Sequence, residues 1–99
     1  MSAMPSYQIY PISDQAVTLD FGGPISLETN DRVHMLLAAL IKNKLAGVTD
    51  IIPAYNSVTV AYDYMTVYQC QLKNENTVPV YTFIKNWIEN NISQHINDI

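Results

Sequence analysis

A chain of 99 residues with 48% apolar and 14% charged side chains has the size and composition of one folded domain, with too little charge to stay disordered. Five Lys and Arg against nine Asp and Glu leave a net charge of −4. The cations Arg32, Lys42, Lys44, Lys73 and Lys85 are scattered, so no basic stripe exists to displace counterions, which excludes DNA, RNA and anionic membranes as principal partners.

Residues 7–12 read as a short strand, and Ser13-Asp14 as a polar turn. From 15 to 21 the pattern alternates: Val17, Leu19 and Phe21 face one way, Thr18 and Asp20 the other. The two runs predict a hairpin, closed by Gly22-Gly-Pro24. Ser26 is the expected N-cap of a first helix, with Glu28 and Asp31 in its early turns, where the dipole favours anions. Val33, Leu36, Leu37, Leu40 and Ile41 recur at helical spacing as one buried stripe, and Gly47 is the expected stop.

Residues 48–54 form a third strand candidate, with Pro53 placing it at an edge or a bulge. Tyr55-Asn56 make the turn, and 57–63 alternate again, with Val58, Val60 and Tyr62 on the inner face. Residues 64–76 carry mixed signals and are expected to be loop. Thr77 is the expected N-cap of a second helix, where Pro79 is tolerated in the first turn. Val80, Ile84, Ile88, Ile92, Ile96 and Ile99 then recur near every fourth residue, broadened by Phe83 and Trp87. The order ββαββα predicts an α+β domain: a four-stranded, mostly antiparallel sheet with both helices on one face. The other sheet face, with Thr18, Asp20, Thr59 and Asp63, is expected to be polar and open.

Catalytic chemistry is not visible. His34 and His95 sit on different helices without a paired metal ligand, and Asp31 with His34 reads as a solvated helix surface. Ser13 and Ser57 lie at turns, where small hydroxyls bond to backbone. Gly22-Gly23 followed by Pro24 is a turn rather than a phosphate loop. Tyr10, Tyr55 and Tyr62 are expected to pack, whereas Tyr64 and Tyr68 are surface candidates. No catalytic residue, metal ligand or cofactor site is expected. The longest apolar run, Met35-Leu-Leu-Ala-Ala-Leu-Ile41, falls far short of the roughly 20 residues that cross a bilayer. The first residues lack the pattern of a secretory signal, and a single Cys70 fits a reducing compartment. A cytoplasmic location is expected.

One block stands out: Gly47-Val-Thr-Asp-Ile-Ile-Pro-Ala-Tyr-Asn-Ser-Val-Thr-Val-Ala-Tyr-Asp63. It follows Tyr7-Gln-Ile-Tyr-Pro-Ile-Ser-Asp-Gln-Ala16, Phe21-Gly22, and Ile25, Asn30, Val33, Leu37 and Leu40. In this order the motifs resemble the N-terminal domain of the family that unites KipI, allophanate hydrolase subunit 1 and the B component of 5-oxoprolinase, with Ser13 in place of the usual Gly and Val58 in place of the usual Leu. The resemblance runs from residue 7 to about residue 90. It implies a DCoH-like fold of two strand-strand-helix units, and a second, cyclophilin-like domain that is absent from residues 1–99. It also implies either a regulator of the histidine-kinase-inhibitor type or a component of an ATP-dependent 5-oxoprolinase or allophanate-type amide hydrolase. The implied partners are a KipA / allophanate hydrolase subunit 2-like protein and a histidine kinase. Asp14, Asn56, Ser57, Asp63 and Tyr64, at turns or strand ends beside the family block, are the candidate partner contacts.

Overall fold

Period-2 alternation and two helical stripes set most of the architecture. The computed structural model describes residues 7–22 and 27–95. Its elements in chain order are β1 (Gln8–Ser13), β2 (Ala16–Asp20), α1 (Leu27–Lys42), β3 (Val48–Pro53), β4 (Ser57–Tyr62), α2 (Tyr64–Lys73) and α3 (Val80–His95). The strands form one sheet in the order β1-β2-β4-β3, and every neighbouring pair is antiparallel. In register, Val17 faces Val60 and Leu19 faces Val58 across the central pair. This four-stranded α+β arrangement is the one expected.

Inward-facing Val17, Leu19, Val58 and Val60 are fully buried with Val33, Leu36 and Leu40 of α1 and Ile84, Ile88 and Ile92 of α3. Each such side chain contributes about 1.5–3 kcal/mol when removed from water. The two long helices lie together on this face and are clasped by amides. Asn43 Nδ2 donates to Asn91 Oδ1 at 3.0 Å, and Trp87 Nε1 donates to the Asn43 carbonyl at 3.0 Å. Tyr81 Oη donates to the Ile9 carbonyl at 3.0 Å, tying α3 to the edge strand β1.

The structure corrects several local expectations. Residues 64–73 are helical rather than loop. The Asp63 carboxylate accepts the Thr66 N–H at 3.2 Å and also the Thr66 hydroxyl, which caps the start of α2. At the other end Asn76 N–H bonds to the Gln71 carbonyl at 2.9 Å and Glu75 N–H to that of Leu72 at 3.1 Å, with Glu75 at φ +55. That is a Schellman closure with Glu where Gly is usual. Ile41 is exposed, because the inner face of α1 is completed by Thr29 and Ala39 instead.

Gly47 does not end α1, which stops at Lys42; it has φ +97 and lies where Val67 of α2 comes against the chain. Helix α3 begins at Val80, with the Pro79 carbonyl accepting from Phe83 N–H at 3.0 Å, so Thr77 is not its cap. Asn76 Oδ1 accepts from Val78 N–H instead, making an Asx turn ahead of the helix. The expected cap Ser26, the turn residues Gly23 and Pro24, and Ile96 and Ile99 lie outside the described residues. On the open sheet face Thr18 is nearly buried rather than solvated, its hydroxyl 2.8 Å from that of Thr59. Tyr10 and Tyr55 are exposed, and of the three strand-associated tyrosines only Tyr62 packs inside.

Candidate functional site

Four of the five candidate contact residues fall at the two ends of β4, and Asp14 lies in the β1–β2 turn. Asn56 and Ser57 precede or open β4, whereas Asp63 and Tyr64 follow its end, about 20 Å away at a strand's rise per residue. Asn56 and Ser57 serve the sheet through their backbones: the Asn56 carbonyl accepts from Phe21 N–H at 3.0 Å, and the Ser57 carbonyl from Ala54 N–H at 2.8 Å. Asn30 Nδ2 also reaches the Tyr55 carbonyl at 3.2 Å, fixing this turn to the start of α1.

Asp14, Asp63 and Tyr64 do come together. With Gln15 and Met65 they line an open hollow of about 460 Å³. The β1–β2 turn is held beside the β4–α2 junction by two hydrogen bonds. Tyr62 N–H donates to the Gln15 carbonyl at 2.9 Å, and Tyr64 N–H reaches Gln15 Oε1 at 3.4 Å. Next to the hollow, Tyr62 is buried, and its phenol is pushed above its ordinary pKa by desolvation first and by the nearby Asp14 charge second.

Sequence reasoning missed the surface that continues from this hollow. Tyr64, Met65, Tyr68 and Leu72 stand at i, i+1, i+4 and i+8 of α2, and every one is exposed, from 42% for the tyrosines to 55% for Met65 and Leu72. The two tyrosine rings stack at 6.3 Å with 17° between their planes. Val67 and Gln71 take the opposite role and are buried. Tyr64 and Tyr68 are surface candidates from the sequence alone, but Met65 and Leu72 become their neighbours only once the segment is a helix.

Asp31 and His34 are both exposed on α1, and among the described residues no group of three or more His, Cys, Asp or Glu is placed to hold a metal ion. Among the described residues no helix is long and apolar enough to cross a membrane.

Residues 7–97 match the family model described as carboxyltransferase domain, subdomain C and D. The chain belongs to this family. It is 36% identical over 63 residues to the B component of 5-oxoprolinase from Bacillus subtilis, a match covering 64% of this chain but 26% of that protein's length. Among solved structures, it is similar to the N-terminal domain of the histidine kinase inhibitor KipI from Bacillus subtilis. That match has a TM-score of 0.75 at 28% identity and covers 95% of this chain and 91% of the other. A conserved uncharacterized protein of Pyrococcus horikoshii superposes with a TM-score of 0.66 at 29% identity, over 88% of this chain and 37% of its own. The KipI-type resemblance and the α+β fold read from the sequence thus both hold.

Proposed function

We propose that this chain is a non-catalytic interaction domain of a KipI-like protein, a regulator of the histidine-kinase-inhibitor type, that docks on a KipA-type sister subunit. The observation that carries this reading is the exposed apolar face of α2 running out of the Asp14–Asp63 hollow. Four large apolar side chains gathered on one exposed helix face make a patch of the size that often serves as a contact surface. The likeness to the KipI N-terminal domain, which spans nearly all of both chains, supports the regulator half of the reading. Of the candidate contacts, Asp14, Asp63 and Tyr64 belong to this surface; Asn56 and Ser57 shape the far turn.

A second reading makes the domain part of the B component of an ATP-dependent 5-oxoprolinase, or of the matching component of an allophanate-type amide hydrolase complex. It is favoured by the 36% identity to the Bacillus subtilis 5-oxoprolinase component. In that case the same docking surface serves assembly of an enzyme. Both readings are tested by co-expressing the chain with an allophanate hydrolase subunit 2-like protein. Co-purification at micromolar concentration is expected, and its absence refutes the docking role. ATP-dependent 5-oxoproline hydrolysis by the purified assembly would select the second reading, and inhibition of a histidine kinase without hydrolysis the first.

A further inference from the structure

Four exposed apolar side chains on α2 form one patch with a charged end. Tyr64, Met65, Tyr68 and Leu72 together offer roughly 400 Å² of apolar surface, taking about 200 Å² for each side chain fully exposed. The patch leads at its N-terminal end into the hollow edged by Asp14 and Asp63. Asp14 forms no ion pair or hydrogen bond with any described residue, and Asp63 spends its carboxylate on Thr66, so the hollow keeps its negative charge.

Resting on the docking role proposed above, we infer that this surface takes an amphipathic helix of a different protein, whose apolar stripe lies along α2 and whose Arg or Lys enters the Asp14–Asp63 hollow. Charge chooses that occupant. A second copy of this chain carries the same acidic hollow and the same net charge of −4, so α2 packed on α2 sets like charges near one another, whereas a foreign helix with a basic residue at one end complements the hollow.

An arginine there meets two carboxylates and the face of Tyr64, and carboxylate pairing with ring stacking favours guanidinium over ammonium. The apolar stripe supplies the anchor and the charge sets the direction in which the helix lies. Tyrosines are suited to the anchor because they offer large contact area with few rotors to freeze.

The test uses two designed helical peptides with one shared leucine stripe, one flanked by arginines and the other by glutamates, titrated into the isotopically labelled chain. The arginine peptide is expected to shift the amide resonances of Asp14, Tyr64, Met65, Tyr68 and Leu72 and to bind about tenfold or more tightly than the glutamate peptide. The exposed double variant Tyr68→Ser/Leu72→Ser, with an unchanged melt, is expected to lose binding. Asp14→Asn is expected to narrow the preference between peptides. Equal binding of both peptides, shifts centred on the open sheet face, or concentration-dependent self-association through α2 would each overturn the inference.

Co-purification with the sister subunit separates the docking role from the surface assigned to it. If the double variant still co-purifies as the parent does, the docking role stands and this surface is wrong. If the parent fails to co-purify yet discriminates the peptides, the surface stands and the choice of sister subunit is wrong.

Discussion

Replacing Gly47 by alanine tests the seat of α2. A Cβ at this position would lie 2.6 Å from Val67 Cγ2, 3.0 Å from the Val67 nitrogen and 3.3 Å from Thr66 Cγ2. The first distance is one that real Cβ atoms do not adopt, and the second is to backbone, which cannot swing away. The backbone φ of +97 adds a conformational cost of its own for any L side chain, about 1–2 kcal/mol. Overpacking adds about 1–3 kcal/mol, since the helix must shift outward to relieve it. The combined loss is about 2–5 kcal/mol against a total stability of about 5–15 kcal/mol for a domain of this kind.

For a chain near 100 residues that lowers the melting temperature by about 8–40 °C, read by circular dichroism or differential scanning fluorimetry. Gly22→Ala is the internal control. Gly22 has φ +65 but nothing within 4 Å of its Cβ position, so only the backbone share of about 1–2 kcal/mol is expected there. In a double-mutant cycle, Val67→Ala should recover part of the Gly47→Ala loss by removing the nearest methyl, with a coupling of about 0.5 kcal/mol or more. A Gly47→Ala melt no lower than that of Gly22→Ala would refute the assigned contact between residue 47 and α2.

Other outcomes follow from single features. Val60→Asp sets an unpaired charge against the fully buried centre of the sheet and is expected to abolish the cooperative melt at neutral pH. Asp63→Ala removes the cap of α2 and is expected to cost about 1 kcal/mol in urea unfolding, whereas Asp63→Ser retains most of it. Tyr7 and Tyr62 hold their protons above the ordinary tyrosine pKa, Tyr7 through burial first and then the charge and hydrogen bond of Glu89, at 3.2 Å. A raised folded pKa stabilises fully below the unfolded value near pH 10 and is lost as pH rises through the folded value, so urea stability should fall above about pH 10. Tyr7→Phe and Tyr62→Phe should each flatten that decline.

The sheet and the two long helices were legible because their apolar residues keep a single period. Val17 and Leu19 alternate with Thr18, and Val58 and Val60 with Thr59, whereas Ile84, Ile88 and Ile92 step round one side of a helix. Helix α2 was illegible because its apolar residues divide between two environments. Val67 turns to the core while Tyr64, Met65, Tyr68 and Leu72 turn to water, so no single stripe emerges from the string of letters. Its ends were equally obscure. Asp63 reads as the last residue of a strand until its carboxylate is seen on Thr66, and the left-handed closing residue is Glu75 rather than a glycine.

The candidate contacts divided for a similar reason. Asp14 is distant in sequence from the adjacent pair Asp63 and Tyr64 but meets them because the β1–β2 turn and the β4 end are held together through Gln15, a long-range pairing that local pattern cannot carry. Asn56 and Ser57 stand next to one another in the family block, yet fold to the opposite end of the strand.

The two outermost strands share one trait. Pro11 lies in β1 and Pro53 closes β3, and each strand slips register against its neighbour, between Pro11 and Ser13 and between Val48 and Asp50. A rim interrupted by a missing donor and a kink makes a poor template for a further ribbon of backbone. Edge-to-edge pairing between copies is therefore disfavoured, which leaves recognition to side chains. Selective recognition becomes attainable on that basis, because side chains differ from one protein to the next and backbone does not.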